Sequence, residues 1–285
     1  MAIDLGPADA LVARHPLAQR RTARGTVALR EAGAGPAVCL LHGIGSQSGS
    51  WVRQIEALAP RFRVVAWDAP GYGASDRLSA ESPSAGDYAD SFAALLDALR
   101  VDRTVLVGSS LGALMAGAFA ARRPERVAGL VLLNPAGGYG RAEPAVRGAN
   151  LAARLARLAE LGPAGMAQAL PPGMLSPAAS AEAQALAAWS TAQIRPDGYA
   201  QAARMLAHGR LLEDAARYPG PALVVAGSLD TITPPAGCEQ IAQAFPRGSY
   251  RLLEGVGHLS YLDAPATVDA MVAEFAARCF EGVRT

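Results

Sequence analysis

The 285-residue chain contains no lysine; all 26 of its basic side chains are arginines. Without a lysine amine it has no route to pyridoxal-type Schiff-base chemistry, and without the lysine that reaches terminal phosphates it has no Walker-type loop. Charge of one sign is also missing in excess: 26 bases against 25 acids leave a net charge of +1. No general attraction to nucleic acid or to an anionic membrane is therefore expected. Cysteine is scarce, and Cys39, Cys238 and Cys279 are too far apart and too odd in number for a disulfide framework or a zinc knuckle. His15 and His208 have no acid or cysteine at ligand spacing, so neither a metal site nor any other cofactor is expected. No apolar run approaches the roughly 20 uninterrupted residues of a spanning helix. The chain opens without a basic segment leading into an apolar stretch of signal-peptide length. These absences lead us to expect a cytoplasmic protein acting on a small molecule, with monomer and homodimer both left open.

What is present is hydrophobic: 51% of the residues, enough to bury a large core, in a chain longer than one minimal domain needs. Gly25 to Arg30 and Ala37 to Leu41 read as β-rich runs around a Gly33-Ala34-Gly35-Pro36 turn, which predicts an opening hairpin with its first strand at an edge. From Ser50 onward, helical spacing alternates with compact β-branched runs. Trp51, Ile55 and Leu58 mark a helix, Arg61 to Trp67 a strand, and Tyr88 to Leu99 a helix. A strand then precedes Ser110, a helix covers Leu111 to Ala121, and a strand covers Val127 to Leu133. Such alternation signals a mostly parallel sheet flanked by helices, an α/β fold.

The rhythm breaks at Pro135-Ala136-Gly137-Gly138. Through Tyr218 the chain is helical in period and cut by Gly162-Pro163, Pro171-Pro172-Gly173, Pro177 and Pro196 into about four helices. Strand and helix resume after Pro219-Gly220-Pro221. We therefore divide the chain into a core, residues 1–137 and 219–285, and an inserted helical cap, residues 138–218; a catalytic cleft needs such a lid to exclude water.

The chemistry centres on Val107-Gly108-Ser109-Ser110-Leu111-Gly112, a G-x-S-x-G turn between an apolar strand and an Ala-rich helix. That setting bends a serine into a reactive position. A serine hydroxyl is a poor nucleophile at neutral pH, so it needs a base and a third group to orient that base. Asp230 ends the strand-like run Leu223 to Ala226, and His258 sits in the glycine-rich loop after the next strand. Ser110, Asp230 and His258 are thus the candidate nucleophile, acid and base, all at the sheet edge where α/β folds place ligands. The attacked carbonyl also needs two backbone donors. Leu111 supplies one at a helix N-terminus, and Ile44 in His42-Gly43-Ile44-Gly45 supplies the other. Of the rival residues, His42 reads as a loop brace, and Asp68, which ends its strand at the same sheet edge, is set behind Asp230 as the acid. Ser109, Tyr139 and Arg195 are candidate substrate contacts, Arg195 as a partner for a carboxylate. Trp51 and Trp189 read as core.

These motifs, with Leu41-His42-Gly43-Ile44-Gly45, Trp51 and Ala66-Trp67-Asp68-Ala69-Pro70-Gly71-Tyr72-Gly73-Ala74-Ser75, resemble the α/β-hydrolase superfamily over nearly all the chain except the cap. They are most similar to its serine branch of enol-lactonases, small carboxylesterases, cofactor-free haloperoxidases and carbon–carbon bond hydrolases. The resemblance implies the same nucleophile, acid, base and oxyanion donors. The branches with an aspartate nucleophile are disfavoured by Ser110. Carbon–carbon hydrolases of ring-cleavage products usually have a more glycine-rich oxyanion loop, an asparagine before the nucleophile and a tryptophan after the histidine, where this chain has Ile44, Ser109 and Leu259. Hydrolysis of a small ester or lactone is the activity expected. Carbon–carbon hydrolysis, acyl transfer and a non-enzymatic small-ligand receptor remain alternatives.

Overall fold

The computed structural model describes residues 5–281. Among them the apolar runs that lack polar alternation become the middle of a sheet: β3 (Ala37–Leu41), β5 (Thr104–Ser109), β6 (Val127–Leu133) and β7 (Ala222–Gly227) are buried at every position. Strands covered on both faces read as continuous hydrophobic sequence. They are joined by β1 (Ala18–Thr22), β2 (Gly25–Ala32), β4 (Arg63–Trp67) and β8 (Gly248–Leu253) in the order β1-β2-β4-β3-β5-β6-β7-β8. Neighbours from β4 to β8 are parallel, whereas β2 is antiparallel to both β4 and β1.

The opening hairpin is therefore formed differently from the sequence expectation. Strand β2 turns back on β1 through Thr22 to Gly25 and does not pair with β3. The edge position belongs to Ala18–Thr22, whose Gln-Arg-Arg centre is exposed and has no apolar alternation to announce a strand. A first helix, α1 (Gly6–Ala13), precedes β1.

Helices cover both faces. On one side α3 (Ala85–Ala98) and α4 (Leu111–Arg122) bury Phe92, Leu95, Leu114 and Phe119. On the other, α2 (Val52–Leu58) contributes Ile55 to the core that includes Trp51, Val272 and Phe275. Ser84 begins α3 with a capping box, accepting from Asp87 N while Asp87 Oδ2 accepts from Ser84 N at 2.8 Å.

Between β6 and β7 lie α5 (Pro144–Gln168), α6 (Ala181–Ala192), α7 (Pro196–His208) and α8 (Leu211–Ala215). Helix α5 is broken at Gly162 (φ 58, ψ 176), because Pro163 disfavours a helical conformation in the residue before it. Leu158, Met166, Ile194, Tyr199 and Ala203 give this insertion a small core of its own. The chain ends with α9 (Pro235–Ala244), α10 (Ser260–Asp263) and α11 (Pro265–Glu281). Among the described residues, no helix is long and apolar enough to cross a membrane.

Candidate active site

Ser110 stands between β5 and α4 with φ 50 and ψ −113, a conformation costing an L-residue on the order of 1–3 kcal/mol. The surroundings hold it there. Its N–H donates to Leu133 O at 3.0 Å, and its carbonyl accepts from Ala136 N at 3.1 Å. The flanking glycines let α4 lie directly on the strand ends: a Cβ on Gly112 would sit 2.2 Å from Leu41 O, and one on Gly108 would sit 2.6 Å from Gly112 O. The side chain projects at the sheet edge, 8% exposed.

Asp230 follows β7 and His258 follows β8, and the structure joins them: His258 Nδ1 lies 2.8 Å from Asp230 Oδ2. Both are 3% exposed. Asp230 is fixed from several sides. Its Oδ1 accepts from Ile232 N (2.8 Å) and Thr233 N (2.9 Å), and its Oδ2 accepts from Asn134 Nδ2 (2.9 Å) and Thr233 Oγ1 (2.7 Å). Burial works against ionisation of this carboxyl, but the hydrogen bond and charge of His258, with the bonds from Thr233, outweigh it. The result is a carboxyl below its ordinary pKa range. An ionised Asp230 holds the proton of His258 on Nδ1 and leaves Nε2 able to accept one. Ser110 and His258 line the same cavity without a direct hydrogen bond, and in ligand-free sites such contacts tighten in the complex.

The two candidate oxyanion donors also lie on this cavity. Leu111 is the first residue of α4, where an N–H has no intrahelical acceptor. Ile44 sits in the loop after β3, its peptide anchored by Tyr72 OH donating to Ile44 O at 3.0 Å. His42 braces that loop. Its Nε2 accepts from Ala69 N at 3.0 Å, which puts its proton on Nδ1, 2.8 Å from Gly43 O. Burial lowers its pKa, keeping it neutral. Asp68 accepts from Ser48 N at 2.7 Å and packs so tightly under Gly73 that a Cβ there would lie 2.0 Å from Oδ2.

Of the three candidate substrate contacts, Tyr139 lines the cavity. Ser109 does not; as the last residue of β5 it is fully buried. Arg195 does not either. At the start of α7 its guanidinium turns to the carbonyls of Ser75 (2.9 Å) and Gly73 (3.4 Å) and to Asp197, so it secures α7 to the core. Trp51 stacks on Tyr261, and Trp189 Nε1 donates to Asp9 Oδ1 at 2.6 Å, away from the cavity.

The cavity encloses about 550 Å³, the size of a small-molecule site. Its sheet side carries Ser110 and His258, and α5 to α7 roof it with Met166, Tyr199, Leu206 and several arginines. A hydroxyl cluster lines one flank: Tyr261 OH and Ser46 Oγ donate to Ser50 Oγ at 3.1 and 2.7 Å, and Ser50 Oγ donates to Gln47 O. The stretch between α5 and α6 is sewn to the loops of the acid and base. His258 N donates to Gly173 O (2.8 Å), Leu259 N to Met174 O (2.9 Å), and Thr231 Oγ1 to Pro172 O (2.9 Å).

Sequence reasoning missed Asn134 and Thr233. The signal for Thr233 was its position three residues after Asp230, where an aspartate bonds the backbone just ahead of it. Asn134 closes β6 at φ 48, a conformation asparagine tolerates better than most residues. Among the described residues no group of three or more His, Cys, Asp or Glu side chains is arranged to hold a metal ion.

Comparison with known proteins agrees with this architecture. The family model described as alpha/beta hydrolase fold matches residues 36–265, and the chain belongs to that family. It is 30% identical over 244 residues to a putative carbamate hydrolase of Caulobacter sp., covering 84% of this chain and 89% of that protein. Among solved structures it resembles a thermophilic esterase from Thermogutta terrifontis, with a TM-score of 0.83, 25% identity and coverage of 93% and 99% of the two chains. It also resembles the enol-lactonase from Burkholderia xenovorans, with a TM-score of 0.77, 24% identity and coverage of 91% and 99%.

Proposed function

We propose that the protein cleaves a small ester or lactone through an acyl-enzyme intermediate on Ser110. The observation that carries this reading is the buried Asp230–His258 hydrogen bond on the cavity that also receives the strained Ser110. In the first step Ser110 Oγ attacks the carbonyl carbon while His258 Nε2 takes its proton. The tetrahedral oxyanion is met by the N–H groups of Ile44 and Leu111, each such donor being worth about 10²–10³ in rate. Asp230 stabilises the imidazolium, which then protonates the departing alkoxide. In the second step His258 takes a proton from water, the resulting hydroxide attacks the acyl-serine, and Ser110 Oγ leaves with the proton returned. Neither a cofactor nor a metal takes part, and residues 138–218 act as the cap that shuts the reacting atoms away from solvent.

Ser110→Ala tests this directly. Burst release from a 4-nitrophenyl ester should vanish and steady-state turnover should fall by roughly 10⁴-fold or more. Turnover near the wild-type rate would defeat the reading. Faster consumption of a ring-cleavage dienoate than of any ester would replace it with carbon–carbon hydrolysis. Transfer product exceeding hydrolysis on addition of an alcohol acceptor would replace it with acyl transfer.

A further inference from the structure

The roof of the cavity carries charge of one sign. Arg141, Arg154, Arg157 and Arg210 line it, and no aspartate or glutamate does among the described residues. Elsewhere several surface arginines are matched to acids, Arg126 with Asp97 and Arg123 with Asp90 at 2.9 Å and Arg53 with Glu56 at 3.0 Å. At the cavity Arg210 has a surface partner, Glu213, at 2.9 Å, and Arg157 donates to the carbonyl of Ala169. Among the described residues Arg141 and Arg154 have neither an ion pair nor a hydrogen bond.

The cluster is assembled from three segments. Arg154 and Arg157 are three apart on α5 and share a face. Arg141 and Arg210 are brought together where Gly140 N donates to Gly209 O at 2.9 Å. Four arginines gathered on one cavity wall with no lining acid repel one another, and a bound anion relieves that repulsion. Beside the arginines the lining carries an apolar stretch of Met166, Leu170, Leu206, Leu212 and Ile241, which suits an anion attached to a hydrocarbon.

We propose that the substrate carries a carboxylate remote from its scissile bond, bound by Arg141 and Arg154 with Arg157 and Arg210 shaping the field. This inference rests on reading the cavity as the ester site and adds the class of substrate. Guanidinium suits a carboxylate because the two make parallel hydrogen bonds as well as a charge contact.

The test is a matched pair: monoethyl adipate and ethyl hexanoate, which differ only in a carboxylate where the other has a methyl. Wild-type kcat/KM should favour monoethyl adipate by roughly 10–100-fold at low salt, the range expected for a charged hydrogen-bonded pair. Added sodium chloride should compress the preference. Arg141→Gln/Arg154→Gln should lose at least tenfold more on monoethyl adipate than on ethyl hexanoate, mainly through KM, with Arg154→Lys restoring part of it. Arg147→Gln, on α5 but not lining the cavity, should leave both esters unchanged. Equal use of the two esters by wild type, or equal loss on both in the double variant, overturns the proposal. So does wild-type binding to phosphatidylglycerol vesicles that the double variant loses, without discrimination between the esters; the arginines would then face a membrane surface. If neither ester is cleaved, the ester reading fails and the anion site is judged alone by calorimetry with adipate. Binding lost in the double variant upholds it, and no binding to wild type overturns it.

Discussion

On the sheet side of the cavity, Ser110, Asp230 and His258 are each under a tenth exposed and are held by backbone and side-chain hydrogen bonds from the end of β6 and the neighbouring loops. On the roof, Arg141, Arg157 and Arg210 are exposed, Arg154 is half-buried, and α5 has Leu158, Met166 and Ala167 as its buried residues. The difference teaches how one fold can separate two tasks. Precision at the reacting atoms comes from glycine-tight packing that tolerates no added atom. The roof is built of helices whose facing residues can change without disturbing that packing.

Glycines probe this contrast most sharply. Gly112→Ala should cost more than about 3 kcal/mol or prevent folding, because its Cβ collides with the backbone at Leu41 and His42, which cannot yield. Chemical denaturation would measure it; a loss under about 1 kcal/mol would mean that α4 rides more loosely on the sheet than described. A smaller effect is expected from Asn134→Gly, which keeps the positive φ but removes the amide from Asp230. Here kcat should drop roughly tenfold with KM little changed, since the lost bond is to a charged group that positions the base. A change confined to KM would place Asn134 with substrate binding instead. Smallest of all is Gly148→Ala in α5, where a Cβ would meet nothing within 4 Å. Replacing an exposed helical glycine should stabilise by about 0.5–1 kcal/mol, raising Tm slightly without altering kcat. Destabilisation at this position would show that the roof is packed as closely as the floor.

The same contrast explains what was legible in the amino-acid order. Strands β6 and β7 were readable because burial on both faces leaves no polar letter in them, β5 because only its end residues Thr104 and Ser109 are polar, and Ser110 because a bend needs glycine on either side. Strand β1 was not, since an exposed edge strand of Gln and Arg obeys no hydrophobic alternation. Arg195 was misassigned and the cavity's own arginines were overlooked for one reason. A helix's charged residues have no facing until its neighbours are in place, and α7's contact with the Gly73–Ser75 turn is set by tertiary packing alone. Asn134 and Thr233 serve the candidate acid through contacts 96 and 3 residues distant, and only the shorter one leaves a local trace.

The stitching of residues 172–174 to the loops of Asp230 and His258 has a consequence for traffic through the cavity. Raising that stretch would tear the histidine's own amide from its acceptor and drag the base out of line, so it must serve as a fixed jamb. Helix α5 makes none of these bonds, and its break at Gly162 sets the half that bears Arg154 and Arg157 apart from the half that leads into them.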